Sequence, residues 1–110
     1  MARLRFALAQ HDFPVGAVAD NAIRVRQLLA EAMGQGAALV AFPELTLSGY
    51  PPEDLLLRPS FLDACESELA ALAADTDGHA AVLGVPHRCG DGTLRNSAAL
   101  LQGEIGRAHV

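Results

Sequence analysis

The sequence predicts an α/β fold, and three features of it carry that prediction. Apolar runs of strand length alternate with longer segments whose apolar residues recur at helical spacing. The links between them are short and punctuated by glycine and proline. Strand, helix and strand in that order, closely linked, make a βαβ unit with parallel strands. At 110 residues and 51% apolar content, the chain can build one small domain or part of a larger one.

Leu4 to Gln10 reads as the first strand, apolar enough for burial on both faces. His11 to Gly16 is a loop containing Pro14. The first helix runs from about Asn21 to Met33, with Asp20 expected as N-cap because its carboxylate can accept from free first-turn N–H groups. Ala22, Val25, Leu29, Ala32 and Met33 share its apolar face, and Gly34 and Gly36 stop it. The second strand is Ala37 to Phe42. Glu53 to Leu57 forms one short helical turn. Ser60 opens the second helix, with Asp63 completing a capping-box pattern. Phe61, Leu62, Cys65, Leu69 and Leu72 form that helix's apolar face. Ala80 to Val85 is the third strand, Pro86 to Thr93 a turn-rich loop, and Arg95 to Leu101 the fourth strand.

Composition excludes several functions. Net charge is −5 with scattered basic residues, which argues against a nucleic-acid surface. The Leu4 to Ala9 run is too short for a signal peptide or a membrane span, so a cytoplasmic chain with free thiols is expected. Cys65 and Cys89 have no metal spacing, and no glycine-rich phosphate loop is present. All 8 basic residues are arginine. His11, His79 and His87 are isolated in loops or turns and read as surface histidines.

One stretch stands apart: Phe42-Pro43-Glu44-Leu45, followed by Ser48-Gly49-Tyr50-Pro51-Pro52-Glu53-Asp54-Leu55. A strand end fixes the backbone while the loop beyond leaves a side chain free to face a cleft, a good position for a working carboxylate. Glu53 and Asp54 read as helix N-terminal carboxylates, and nothing else supports a dyad of Glu44 with Glu53. The stretch resembles the glutaminase domain of glutamine-dependent NAD synthetases, a branch of the nitrilase (carbon-nitrogen hydrolase) superfamily. The resemblance runs from about Leu4 to Gln102. It implies a four-layer α-β-β-α sandwich, of which residues 1–103 supply a portion. It also implies that Glu44 is the general base of a Glu-Lys-Cys triad, working in a partly desolvated setting. Tyr50 is the substrate-cleft candidate. The triad lysine and nucleophilic cysteine are absent: there is no lysine at all, and neither Cys65 nor Cys89 matches the nucleophile motif.

The resemblance further implies a parent enzyme that hydrolyses glutamine and passes ammonia to a synthetase domain. There, with ATP and Mg²⁺, nicotinic acid adenine dinucleotide is amidated to NAD. It implies a homo-oligomer, with no cofactor on this chain, no nucleic acid and no membrane. The chain alone is expected to lack amidase activity. Two alternatives stay open: another amidase or carbamoylase of the superfamily, and a non-catalytic α/β interaction module. Residues 104–110 are expected to be non-native. Back-translated as GAG ATC GGA AGA GCA CAC GTC, they match a common sequencing adapter.

Overall fold

A computed structural model describes residues 3–76, 80–102 and, as backbone, 107–109. The elements are β1 (Phe6–Leu8), α1 (Val18–Gly34), β2 (Leu39–Ala41), a 3-10 helix (Glu53–Leu57), α2 (Pro59–Asp75), β3 (Ala80–Arg88), β4 (Leu94–Gln102) and β5 (Arg107–His109). The strands form one sheet in the order β1-β2-β3-β4-β5. β1, β2 and β3 run parallel, joined by helical crossovers, whereas β3, β4 and β5 are antiparallel neighbours.

Side chains alternate across the pleat, so the register assigns two faces. Val40, Ala81, Leu83, Val85, Ala99 and Leu101 lie on one face, each at most 2% exposed. Ala22, Val25 and Leu29 of α1 pack into the same core, with Leu69, Leu72 and Ala73 of α2. Phe6, Leu8, Leu39, Ala41, Val82 and Leu100 lie on the other face. No described helix covers them, and Phe6 and Leu8 are 60% and 74% exposed. The chain thus forms one helical and one sheet layer, half of a four-layer α-β-β-α sandwich.

Several boundaries differ from the sequence expectation. α1 begins at Val18 with Ala17 as N-cap, and Asp20 sits inside the first turn without a side-chain capping bond. Asp20 still opposes the positive end of the helix dipole there. Asn21, expected merely to begin the helix, is buried. α2 begins at Pro59, whose missing N–H costs nothing at a first helical position. Ser60 makes no cap there, and Asp63 instead receives a hydrogen bond from Arg88 at 2.6 Å.

β3 continues through Pro86 to Arg88 because of where its donors point. Gly84 turns its N–H away from β4, to the Pro43 carbonyl at 3.2 Å. Pro86 has the same parity, so the donor it lacks faces the side that β2 no longer occupies. The expected turn survives as a tight hairpin, closed by Cys89 N–H to the Thr93 carbonyl at 2.8 Å. His79, Glu104 to Gly106 and Val110 lie outside the described residues. β5 rests on backbone pairing that any sequence supplies at an open edge, so it does not bear on the origin of residues 104–110.

Candidate active site

Open α/β sheets bind ligands beyond the carboxyl ends of their parallel strands. A cleft of about 300 Å³ lies at that end of β1 and β2. Its walls are His11, Asp12 and Phe13 from the loop after β1, with Pro43, Glu44, Leu45 and Tyr50 from the loop after β2. The two residues singled out in the sequence, Glu44 and Tyr50, therefore share one cleft, and both side chains are exposed. His11, expected on the open surface, lines the same cleft, with its ring edge-on to Phe13 at 4.8 Å.

The Glu44 loop is built as a rigid piece. Phe42 N–H donates to the Val82 carbonyl at 2.8 Å, the last bond before Pro43 ends the ladder. The chain then folds over β3: Gly84 donates to the Pro43 carbonyl, and Thr46 N–H donates to the Gly84 carbonyl at 2.9 Å. This crossing needs glycine, because a Cβ on Gly84 would lie 2.2 Å from Leu45 N and 2.7 Å from Glu44 Cα. Leu45 takes a left-handed φ of 51°, a conformation that costs a non-glycine residue on the order of 1 kcal/mol. Its side chain is buried, as are Thr46, Leu47 and Ser48, and burial of Leu47 alone contributes about 2 kcal/mol.

The buried polar side chains of this loop are all hydrogen-bonded. Thr46 Oγ1 donates to the Pro43 carbonyl, and Ser48 Oγ donates to the Gly49 carbonyl at 3.0 Å. Asn21 Nδ2 donates to the carbonyls of Pro14 and Leu47, both at 2.9 Å. Gly16 N–H donates to the Ser48 carbonyl at 2.9 Å. One buried amide on α1 thus ties together the two loops that wall the cleft. Gly49, at φ 75°, passes so close to Pro14 that a Cβ would lie 2.4 Å from its carbonyl oxygen.

The Glu44 carboxylate is held from a third element: Asn96 Nδ2 on β4 donates to Oε1. Glu44 faces solvent rather than the partly desolvated setting expected, because the described residues wall the cleft only from these two loops. Among the described residues no cysteine lines it. Cys65 is buried on α2, and Cys89 is half-buried in the β3–β4 turn. Sequence reading missed Asn21, Gly84 and Asn96. Each acts through tertiary register, and none carries a local motif.

The site is thus a carboxylate on a clamped loop, facing a cleft at the carboxyl end of the parallel strands. The carbon-nitrogen hydrolase family model matches residues 5–108, and the chain belongs to that family. Among curated relatives, it is 50% identical over 103 residues to the glutamine-dependent NAD(+) synthetase of Xylella fastidiosa, covering 93% of this chain. It is 44% identical to the corresponding Synechocystis protein over 90% of the chain. The chain spans about a fifth, 19%, of the length of these relatives. Among solved structures, the glutamine-dependent NAD+ synthetase of Acinetobacter baumannii, seen with adenosine diphosphate, superposes with a TM-score of 0.88 at 32% identity. That match covers 96% of this chain and 19% of the other. An amidase from Nesterenkonia sp. superposes at 0.79 with 30% identity, covering 97% and 41%. A glutamate-to-glutamine mutant of that amidase carries acrylamide at its active-site cysteine.

Proposed function

We propose that residues 1–103 are the front portion of the glutaminase domain of a glutamine-dependent NAD synthetase, and that Glu44 is its general base. The observation that carries this reading is the placement of Glu44: exposed at the cleft, on a loop whose buried polar side chains are all hydrogen-bonded. In this role Glu44 takes the proton of a cysteine thiol, and the thiolate attacks the side-chain amide carbon of glutamine. The tetrahedral intermediate collapses as Glu44 returns the proton to the departing ammonia. Glu44 then takes a proton from water as the water attacks the thioester carbon, and passes it to the cysteine sulfur as the carbon–sulfur bond breaks and glutamate leaves. The nucleophile and the lysine that steadies the oxyanion come from the rest of the domain. Tyr50 shapes the wall against which the substrate lies.

In the whole enzyme the ammonia meets nicotinic acid adenine dinucleotide activated by ATP and Mg²⁺, in a cytoplasmic homo-oligomer. The residues described here do not fit either group. No phosphate loop is present, and no three His, Cys, Asp or Glu side chains converge for a metal. No described helix is long and apolar enough to cross a membrane. The amidase alternative is weaker than the synthetase reading, because curated relatives at 44–50% identity are NAD synthetases and, among solved structures, an NAD synthetase superposes at a TM-score of 0.88 against 0.79 for the amidase.

The test joins this chain, at Gln102, to the matching remainder of the Xylella fastidiosa relative. The joined enzyme is expected to make NAD from glutamine, whereas the chain alone releases no glutamate. Glu44→Gln is expected to lower glutamine-dependent turnover by about 10²- to 10⁴-fold while sparing NAD formation from added ammonia. Full glutaminase activity in Glu44→Gln sinks the proposal.

A further inference from the structure

We infer that Asn96 is a positioning residue for the base: it holds the Glu44 carboxylate by one oxygen and leaves the other free for proton transfer. The inference rests on the reading of Glu44 as base. β3 and β4 pair Gly84 with Ala98 and Pro86 with Asn96. The Glu44 loop is pinned at Gly84, so Asn96 reaches it diagonally from two residues along β4, a span a polar side chain can bridge. Asn96, Ala98 and Leu100 share the face that the helices leave uncovered, and the Glu44 carboxylate meets Asn96 there. An ionised carboxylate only accepts, so the amide must present its nitrogen, and the Asn96 Nδ2–H to Glu44 Oε1 bond follows.

The residue type suits the task. A neutral amide fixes orientation without forming an ion pair that would oppose protonation during turnover. The neighbouring cation, Arg95, alternates to the opposite side and lies 4.0 Å from Asp91. A general base must sit within hydrogen-bond reach of the proton it takes, and a misplacement of about 1 Å can cost on the order of 100-fold in rate. The backbone of Glu44 is clamped, but its side chain is exposed. Asn96 is the one described side chain that fixes it.

The test uses the joined enzyme with native Asn96, Asn96→Leu, Asn96→Asp and Asn96→Gln. Asn96→Leu is expected to lower glutaminase kcat about 10- to 100-fold with KM unchanged. Asn96→Asp, which sets carboxylate against carboxylate, is expected to lose at least as much, and Asn96→Gln, which keeps the donor, to recover part of it. NAD formation from added ammonia stays constant and reports folding. Should Asn96→Leu lose that too, the Asp and Gln variants decide. If Glu44→Gln abolishes glutaminase activity while the Asn96 variants keep native kcat, this inference fails and the base assignment stands. If Glu44→Gln leaves activity intact, both fall.

Discussion

Cys65 lies on the apolar face of α2 at 1% exposure, and burial, with Glu66 beside it, pushes its thiol up to about 11. Below 9.0, the ordinary thiol value, folded and unfolded chains both hold the proton, and stability is untouched. As pH rises from there toward 11 the unfolded chain ionises first, so stability is lost. The matching prediction concerns reactivity, because the thiolate is the nucleophile. In native protein below pH 9.0, iodoacetamide is expected to label Cys89 and leave Cys65 unlabelled until denaturant is added. Labelling of Cys65 at the rate of Cys89, read by peptide mass spectrometry, contradicts that placement. Residue by residue, the site was half legible. Glu44 and Tyr50 announce themselves through a long local motif. Asn96 and Asn21 do not, since an asparagine matters here only through the register or helix face that brings it to a distant carbonyl or carboxylate.

The β3 strand and the Glu44 loop are one element in mechanical terms, joined at Gly84. Gly84→Ala must displace backbone, because its Cβ would meet Leu45 N at 2.2 Å and no flexible side chain can yield. Overpacking of this kind costs about 1–3 kcal/mol. The displaced group is Glu44, the proposed base, so glutamine-dependent activity is expected to fall more than stability implies. Ammonia-dependent activity of the joined enzyme should persist. Equal loss of both activities contradicts a local effect. Periodicity announced the helices and strands because apolar side chains at helical or alternating spacing have few other ways to be buried. Their ends were less legible. Ser60 and Asp63 match a capping pattern, yet Pro59 already starts the helix and Arg88 takes Asp63. Gly84 looks like any strand glycine until the loop that crosses it is known.

At the scale of the molecule, the open sheet face dominates. Phe6 and Leu8 stand more than half exposed, beside half-buried Leu39, Val82 and Leu100. A contiguous apolar face of this kind marks an interface rather than a finished surface. In a four-layer sandwich its cover is the second sheet of the same domain, packed about 10 Å away. Glu44 meets Asn96 on that side, so on the proposed reading a layer over the face would also wall the cleft and desolvate Glu44. The double change Phe6→Ser with Leu8→Ser should therefore act in opposite directions in two settings. In the isolated chain it removes exposed apolar surface and should reduce self-association and dye binding. In the joined enzyme it removes two buried side chains, each contributing about 1.5–3 kcal/mol, and should lower the melting temperature and abolish glutaminase activity. Improved solubility in the short chain with no loss of stability in the joined enzyme would show that this face stays open to water, and the two-sheet architecture would then give Glu44 no cover.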